Sequence, residues 1–292
     1  TMTYSLPTNI ESRPVTVIGA GTLGRRIALM MANRGGVVRI FDMIPEQRQA
    51  AKVFVDQELP ALVPTIEGGS EGTVELHDDL ATALRGAWLV VEAVPEKKDL
   101  KQSIFADLDR LAEADAILAT NSSSYASGDI IDNVEHPERV CNLHFYVPPG
   151  MPGADLMSSG HTDPAIFDLL QTQLRKHGIF AFLASKKSTG FIFNRIWAAI
   201  KRECLMVVAD GVSNPQDIDQ MWMVNFGMDW GPFQLMDRVG LDVVRDIELH
   251  YMDERDGLPT NTIELLDTYI ARGELGMKTG KGFYDYDGQD QG

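Results

Sequence analysis

The residues best placed to do chemistry begin with a glycine loop. Gly19-Ala-Gly-Thr-Leu-Gly24 follows the short β-branched run Pro14-Val-Thr-Val-Ile18 and leads into a stretch with apolar residues at Ile27, Met30 and Met31. In such a strand–turn–helix setting Gly19 permits the tight turn, Gly21 lets backbone approach a pyrophosphate, and Gly24 lets helix and strand pack closely. The amides that open the helix, with Thr22 and Leu23, then face the phosphates. A second apolar run, Val37–Phe41, closes on Asp42. A carboxylate there accepts hydrogen bonds from ribose hydroxyls and repels a 2′-phosphate. Met43-Ile44-Pro45 supplies no arginine to accommodate one, so the expected cofactor is NAD.

A hydride acceptor needs a base to take the alcohol proton, and histidine is suited to it because it titrates near working pH. The chain has six: His77, His136, His144, His161, His177 and His250. Spacing does not choose among them, but His144 ends the run Val140–His144, at the edge where open α/β sheets place ligands. Asn121 and Ser123 lie just past another strand end, Ala116–Thr120. Asn194 is a polar residue near the start of an apolar helical face.

The elements that carry these residues alternate. Strands are expected at 14–18, 37–41, 74–76, 87–94, 116–120, 140–144 and 179–183, and helices from Arg25 to Arg34, over about 45–58 with a break at Pro60, at 79–84 and at 99–111. This order predicts an α/β, doubly wound, Rossmann-type parallel sheet covered on both faces, over residues 1–187. From 188 to 292 the pattern is helical: 190–210, a helix starting at Pro215, 232–250 and 262–271. One late strand is expected at Gly282–Tyr286. The second part therefore reads as an all-helical substrate and dimerisation domain.

Composition narrows the class. The 292 residues are 44% hydrophobic and 23% charged, ordinary for a globular chain. The formal charge of −16 disfavours nucleic acid and anionic membrane surfaces as partners. No run approaches a membrane span and no charged-then-apolar leader is seen. Two cysteines without a spacing pattern argue against a disulfide framework or a metal site and for a reducing, cytoplasmic setting.

The glycine loop, Val91-Glu-Ala-Val-Pro-Glu96 with Lys101, Ala119-Thr-Asn-Ser-Ser-Ser124, Leu143-His-Phe-Tyr146 with Pro148, Thr189-Gly-Phe-Ile-Phe-Asn194-Arg, Trp230-Gly-Pro-Phe-Gln-Leu-Met-Asp237, Gly240-Leu-Asp242 and Gly276-Met-Lys-Thr-Gly-Lys-Gly-Phe-Tyr284 occur in this order. Together they resemble the 3-hydroxyacyl-CoA dehydrogenase family over residues 15–286. The resemblance implies that His144 is the catalytic base, that Ser123 hydrogen-bonds the substrate oxygen beside the nicotinamide, that Asn194 positions substrate and histidine, and that Glu96, Lys101 and Lys278 contact NAD. It also implies a homodimer and a place in fatty acid metabolism. The residues alone leave other readings open: Lys101 and Lys278 as solvated lysines, Ser123 as a turn serine, Asn194 as a core amide.

Three departures from the pattern bear on function. The family glutamate that pairs with the histidine is here Asp155, whose shorter side chain makes its reach to His144 uncertain and leaves open a loop aspartate without a partner. The family asparagine three residues after the histidine is Val147. The segment Glu46–Leu76 is compact and holds a single lysine, Lys52, so no basic docking patch for CoA is evident. The fullness of the pattern favours a 3-hydroxyacyl-CoA substrate; the third departure favours a small CoA-free hydroxy acid or alcohol, gulonate- or carnitine-like. A reading of another class is a catalytically silent protein on the dehydrogenase scaffold. Large apolar residues in the helical part (Trp197, Met206, Trp222, Met223, Phe226, Trp230, Phe233) read as core or as a dimer interface.

Overall fold

The structure is a computed structural model and describes residues 4–286. The chain divides into two compact units between Ile192 and Phe193; the sequence reading drew the line after residue 187.

The first unit is built on one eight-stranded sheet of order β3-β2-β1-β4-β5-β6-β7-β8. Its strands are β1 (Val15–Ile18), β2 (Val37–Phe41), β3 (Thr73–His77), β4 (Leu89–Glu92), β5 (Ile117–Thr120), β6 (Val140–Val147), β7 (Met151–Ser158) and β8 (Phe180–Ala184). The helices are α1 (Thr22–Met31), α2 (Pro45–Leu62), α3 (Leu80–Leu84), α4 (Lys98–Leu111) and α5 (Ala165–Lys176). From β3 to β6 all neighbours run parallel. Alternation of side chains sorts the core onto two faces. Val15, Val17, Leu89, Val91, Ile117 and Ala119 pack with α1, α2 and α5, while Ile18, Val90 and Leu118 pack with Leu84, Phe105 and Leu108 of α3 and α4.

Two expectations are corrected here. Pro60 does not break the second helix, which continues to Leu62. Proline loses one hydrogen bond but its fixed φ is helical, and the buried Val55 and Leu59 hold the turn against the sheet. The other correction is β7. Pro152 and Gly153 disguise it, since both are poor strand formers. A hairpin connection as short as 148–150 can only return antiparallel, so β7 pairs antiparallel with β6 and parallel with β8. The sheet is thus parallel in its main part with a reversed edge.

The second unit contains α6 (Phe193–Ala209), α7 (Pro215–Phe226), α8 (Pro232–Val239), α9 (Leu241–Glu254) and α10 (Asn261–Ile270). The expected single helix over 232–250 is split at Gly240, whose φ of 108° no L side chain adopts comfortably. The late strand at 282–286 does not form; the segment makes only isolated bridges between Gly276 and Lys281 and between Lys281 and Asp285. It is held instead by Asp237, which accepts the Phe283 and Tyr284 amides and the Tyr286 hydroxyl. A Cβ on Gly282 would sit 2.1 Å from Asp237 Oδ1, which is why this position is glycine. Leu205, Phe233, Met236, Leu241, Val244, Leu266 and Phe283 form the core.

Candidate active site

The glycine loop joins β1 to α1 as its residues require. Gly19 has φ 103°, and a Cβ there would lie 2.7 Å from the Ala93 carbonyl oxygen. A Cβ on Gly24 would strike the Gly19 carbonyl at 1.9 Å. At Gly21, by contrast, a Cβ would meet nothing within 4 Å. Gly21 is also the N-cap of α1 and gives it no side-chain cap, and no acidic residue lies in the first turn. An uncapped helix start beside open space suits a pyrophosphate. Asp42 follows β2 and is half-buried. Its Oδ2 accepts the Ala20 amide at 2.8 Å and its Oδ1 accepts the Ile44 amide at 2.9 Å, so the carboxylate is clamped against the glycine loop. These residues fit a dinucleotide bearing free ribose hydroxyls.

Alternation then lines up a polar row. Glu92 and Thr120 end β4 and β5 and stand in register with Asn142 within β6, and the three share the face opposite Val91, Ala119 and Cys141. Glu92 is fully buried. It accepts the Val94 amide and Lys101 Nζ on one oxygen and the Thr120 hydroxyl on the other, at 2.7–2.8 Å. Lys101 is therefore not a solvated helix lysine: it is 1% exposed, and its Nζ is also 3.6 Å from Glu96. Glu96 accepts the Ser122 hydroxyl at 2.9 Å and the Ser123 amide at 3.0 Å. The result is a wired turn that leaves Ser123 exposed at the sheet edge. Asn121 accepts the Phe145 amide through Oδ1 at 2.8 Å and ties this turn to β6.

His144 stands one residue pair further along β6, and β7 supplies its partner. His144 and Asp155 are directly opposed in the antiparallel register, so both side chains leave the sheet on one face. Nδ1 of His144 is 3.4 Å from Oδ2 of Asp155. Opposed strand positions bring Cβ atoms within about 5 Å, and at that separation an aspartate reaches. Asp155 is neither in a loop nor without a partner. The Tyr146 hydroxyl donates to the same Asp155 oxygen, and its ring meets the imidazole edge-on at 4.9 Å. Phe191 stacks on the other side of His144 at 5.1 Å and 4°. Phe191 is buried with φ 52°, a costly conformation for a non-glycine residue, and it walls the imidazole. Val147 is exposed and contributes no polar group.

Asn194 and Lys278 belong to the second unit. Asn194 is half-buried in the first turn of α6. Lys278 lies in a 3-10 turn after α10 and is bonded to Asp242, beside Gly240. Glu92, Thr120, Ser122, Tyr146 and Phe191 were missed as site residues. For Glu92 and Thr120 the signal in sequence was a charged or hydroxyl residue closing an apolar strand run; Ser122, Tyr146 and Phe191 carried none.

The chain matches the family model described as 3-hydroxyacyl-CoA dehydrogenase, NAD binding domain, over residues 14–184, and the corresponding C-terminal domain over 190–286. It is 28% identical to 5-formyl-3-hydroxy-2-methylpyridine 4-carboxylate 5-dehydrogenase of Mesorhizobium japonicum, covering 94% of this chain and 91% of that protein. It is 30% identical to the mitochondrial hydroxyacyl-coenzyme A dehydrogenase of Homo sapiens, covering 93% and 90%. Among solved structures it is similar to a diketoreductase acting on dicarbonyl compounds, at 30% identity and TM-score 0.80, covering 94% and 99%.

Proposed function

The chain belongs to the 3-hydroxyacyl-CoA dehydrogenase family, and from that premise we propose that it oxidises the 3-hydroxy group of an acyl substrate to a ketone with His144 as general base. The observation that carries this reading is the opposed pair His144–Asp155 at the crevice edge of a sheet whose first turn fits a dinucleotide. Bound NAD supplies the hydride acceptor. Gly19, Gly21, Thr22, Leu23 and Gly24 hold the pyrophosphate, and Asp42 holds the adenosine ribose. Asn121, Ser123 and Glu96 form the wired turn at the nicotinamide end. Lys101 serves that turn from beneath, as the buried counter-ion of Glu92, and Lys278 is the second lysine of the cofactor set.

In oxidation His144 Nε2 takes the hydroxyl proton while Nδ1–H faces Asp155, which stabilises the imidazolium and fixes its tautomer. Tyr146 holds the carboxylate in place. Ser123 donates to the substrate oxygen, and Asn194 positions substrate and histidine. A 3-hydroxyacyl-CoA is the first substrate class. One structural observation favours a CoA-free acid or alcohol instead: Lys52, the single lysine of the compact segment after β2, is occupied by Asp56 at 2.7 Å.

A homodimer formed through the second unit is part of the same proposal. Val224 and Phe226 of α7 are 76% and 67% exposed, and Met221 and Trp230 are exposed as well, whereas Phe233 belongs to the core. A cytoplasmic role in fatty acid metabolism completes it. The test is NADH formation with 3-hydroxybutyryl-CoA and with free hydroxy acids in parallel. His144→Ala should lower turnover about 10²–10⁴-fold, as for loss of a positioned base, with NADH binding intact by fluorescence. Unchanged turnover removes His144 from the mechanism.

A further inference from the structure

Buried and half-buried guanidinium groups in this chain generally face carboxylates. Arg13 lies against Asp115, Arg39 against Glu75, Arg139 against Asp109 and Arg202 against Glu248. Arg25 and Arg26, adjacent in α1, do not: among the described residues neither forms an ion pair. Both guanidiniums lie over the same Phe54 ring of α2, at 4.7 and 5.4 Å. Nε of each is buried and without a hydrogen-bond partner. The contact that fixes Arg26 is a 3.1 Å hydrogen bond from its Nη1 to the Pro148 carbonyl.

That contact gives the pair its address. Pro148 lies four residues beyond His144, and four residues of extended chain span about 13 Å. The start of α1 and the end of β6 both lie at the carboxyl edge of the parallel strands, where the candidate site is. Two like charges gathered at one ring are unfavourable, and the ring offsets only part of that cost. A chain with 42 acidic side chains has left both without a carboxylate partner among the described residues. A planar guanidinium suits an oxyanion bound in bidentate fashion, and two of them stand at this ring.

We propose that Arg25 and Arg26 form a subsite for an oxyanion at the end of the substrate remote from the reacting hydroxyl. This rests on the dehydrogenase reading of the neighbouring site. The oxyanion is either a phosphate of a CoA thioester or a distal carboxylate of a CoA-free acid, and the two are separable.

Calorimetric titration of the NAD-saturated protein, in which a 3-oxo ligand finds no hydride to accept, with acetoacetyl-CoA, with acetoacetyl-pantetheine, and with a free 3-oxo dicarboxylic acid and its neutral diester tests it. Arg25→Gln/Arg26→Gln should weaken the anionic ligand that the parent binds at least ten-fold and leave the neutral counterpart within two-fold. Arg25→Lys/Arg26→Lys, which keeps the charge and the packing, should recover part of the loss. A loss confined to acetoacetyl-CoA identifies the phosphate; one confined to the free acid identifies the carboxylate. The proposal is overturned by equal losses for charged and neutral ligands, by a matching loss of NAD affinity (which would assign the pair to the cofactor pyrophosphate), by unchanged affinities, or by a parent that binds neither anion. The readout is binding, so a parent that binds the anion but turns nothing over counts against the dehydrogenase reading and not against the subsite.

Discussion

The buried carboxylates that anchor connecting segments are held differently in the two units, although the second also contains one buried ion pair between helices, Glu248 with Arg202. In the first, Glu92 faces Lys101 and Asp109 faces Arg139, so each charge has a buried cation. Burial pushes the Asp109 carboxyl up, but hydrogen bonds from Arg139 and the Glu135 amide outweigh it and the group stays below the usual carboxylate range. In the second, Asp219 and Asp237 are fully buried and, among the described residues, have no ion-pair partner. Asp219 accepts the Phe233 and Gln234 amides and the Tyr284 hydroxyl, and Asp237 staples α8 to the segment at 283–286. Burial pushes both up, only partly offset by those donors. The difference follows from the task. Asp219 and Asp237 stitch backbone, where neutral donors suffice. Glu92 anchors a turn that must present fixed polar groups at a site, and a compensated charge keeps it rigid.

The largest effect expected from this contrast is at Lys101. Lys101→Met leaves Glu92 buried and uncompensated and should cost about 3–5 kcal/mol in urea unfolding, with most of the loss recovered in Glu92→Gln/Lys101→Met. A single variant no worse than the double would show that the cation matters little. Asp237→Asn should cost less, about 1–3 kcal/mol, because it removes one acceptor and turns an amide toward donors without stranding a charge. If it proves the costlier of the two, the contrast is reversed.

The smallest effect is pH-dependent. Burial holds His177 neutral, with its pKa pulled down to about 4 from 6.5, while Nδ1 contacts the Met30 carbonyl and Asn33. A depressed histidine contributes stability that is complete above 6.5 and is lost as pH falls toward 4, because the unfolded chain then binds the extra proton. Asp109, depressed as a carboxylate, also weakens in acid. The raised Asp219 and Asp237 act oppositely: their contribution is greatest below the ordinary carboxylate value and declines as pH rises through the folded one. Amide exchange protection in β1 and β4 should therefore fall more than that in α8 between pH 6.5 and 4. An equal fall in both would erase the distinction.

Much of this was legible in sequence because the signals are local. A glycine loop between a β-branched run and a helical period, Asp42 at the next strand end, and His144, Asn121 and Ser123 at further strand ends each depend on a few neighbouring residues. The ordered motifs gave the family for the same reason. Strand β7 was not legible, since Pro152 and Gly153 contradict it locally and pairing with β6 and β8 overrides them. The partner of His144 was half legible: the ordered motifs named Asp155 but left its reach open, because an antiparallel register is a property of two strands. Lys101 reads as a cofactor contact or a solvated helix lysine until the sheet buries it against Glu92, and Arg25 and Arg26 are only the opening of an expected helix until Phe54 and Pro148 close on them. The chain by itself determined which groups stand at the ends of strands; only the tertiary structure decided which of them meet, because burial and cross-strand register arise from residues far apart in sequence.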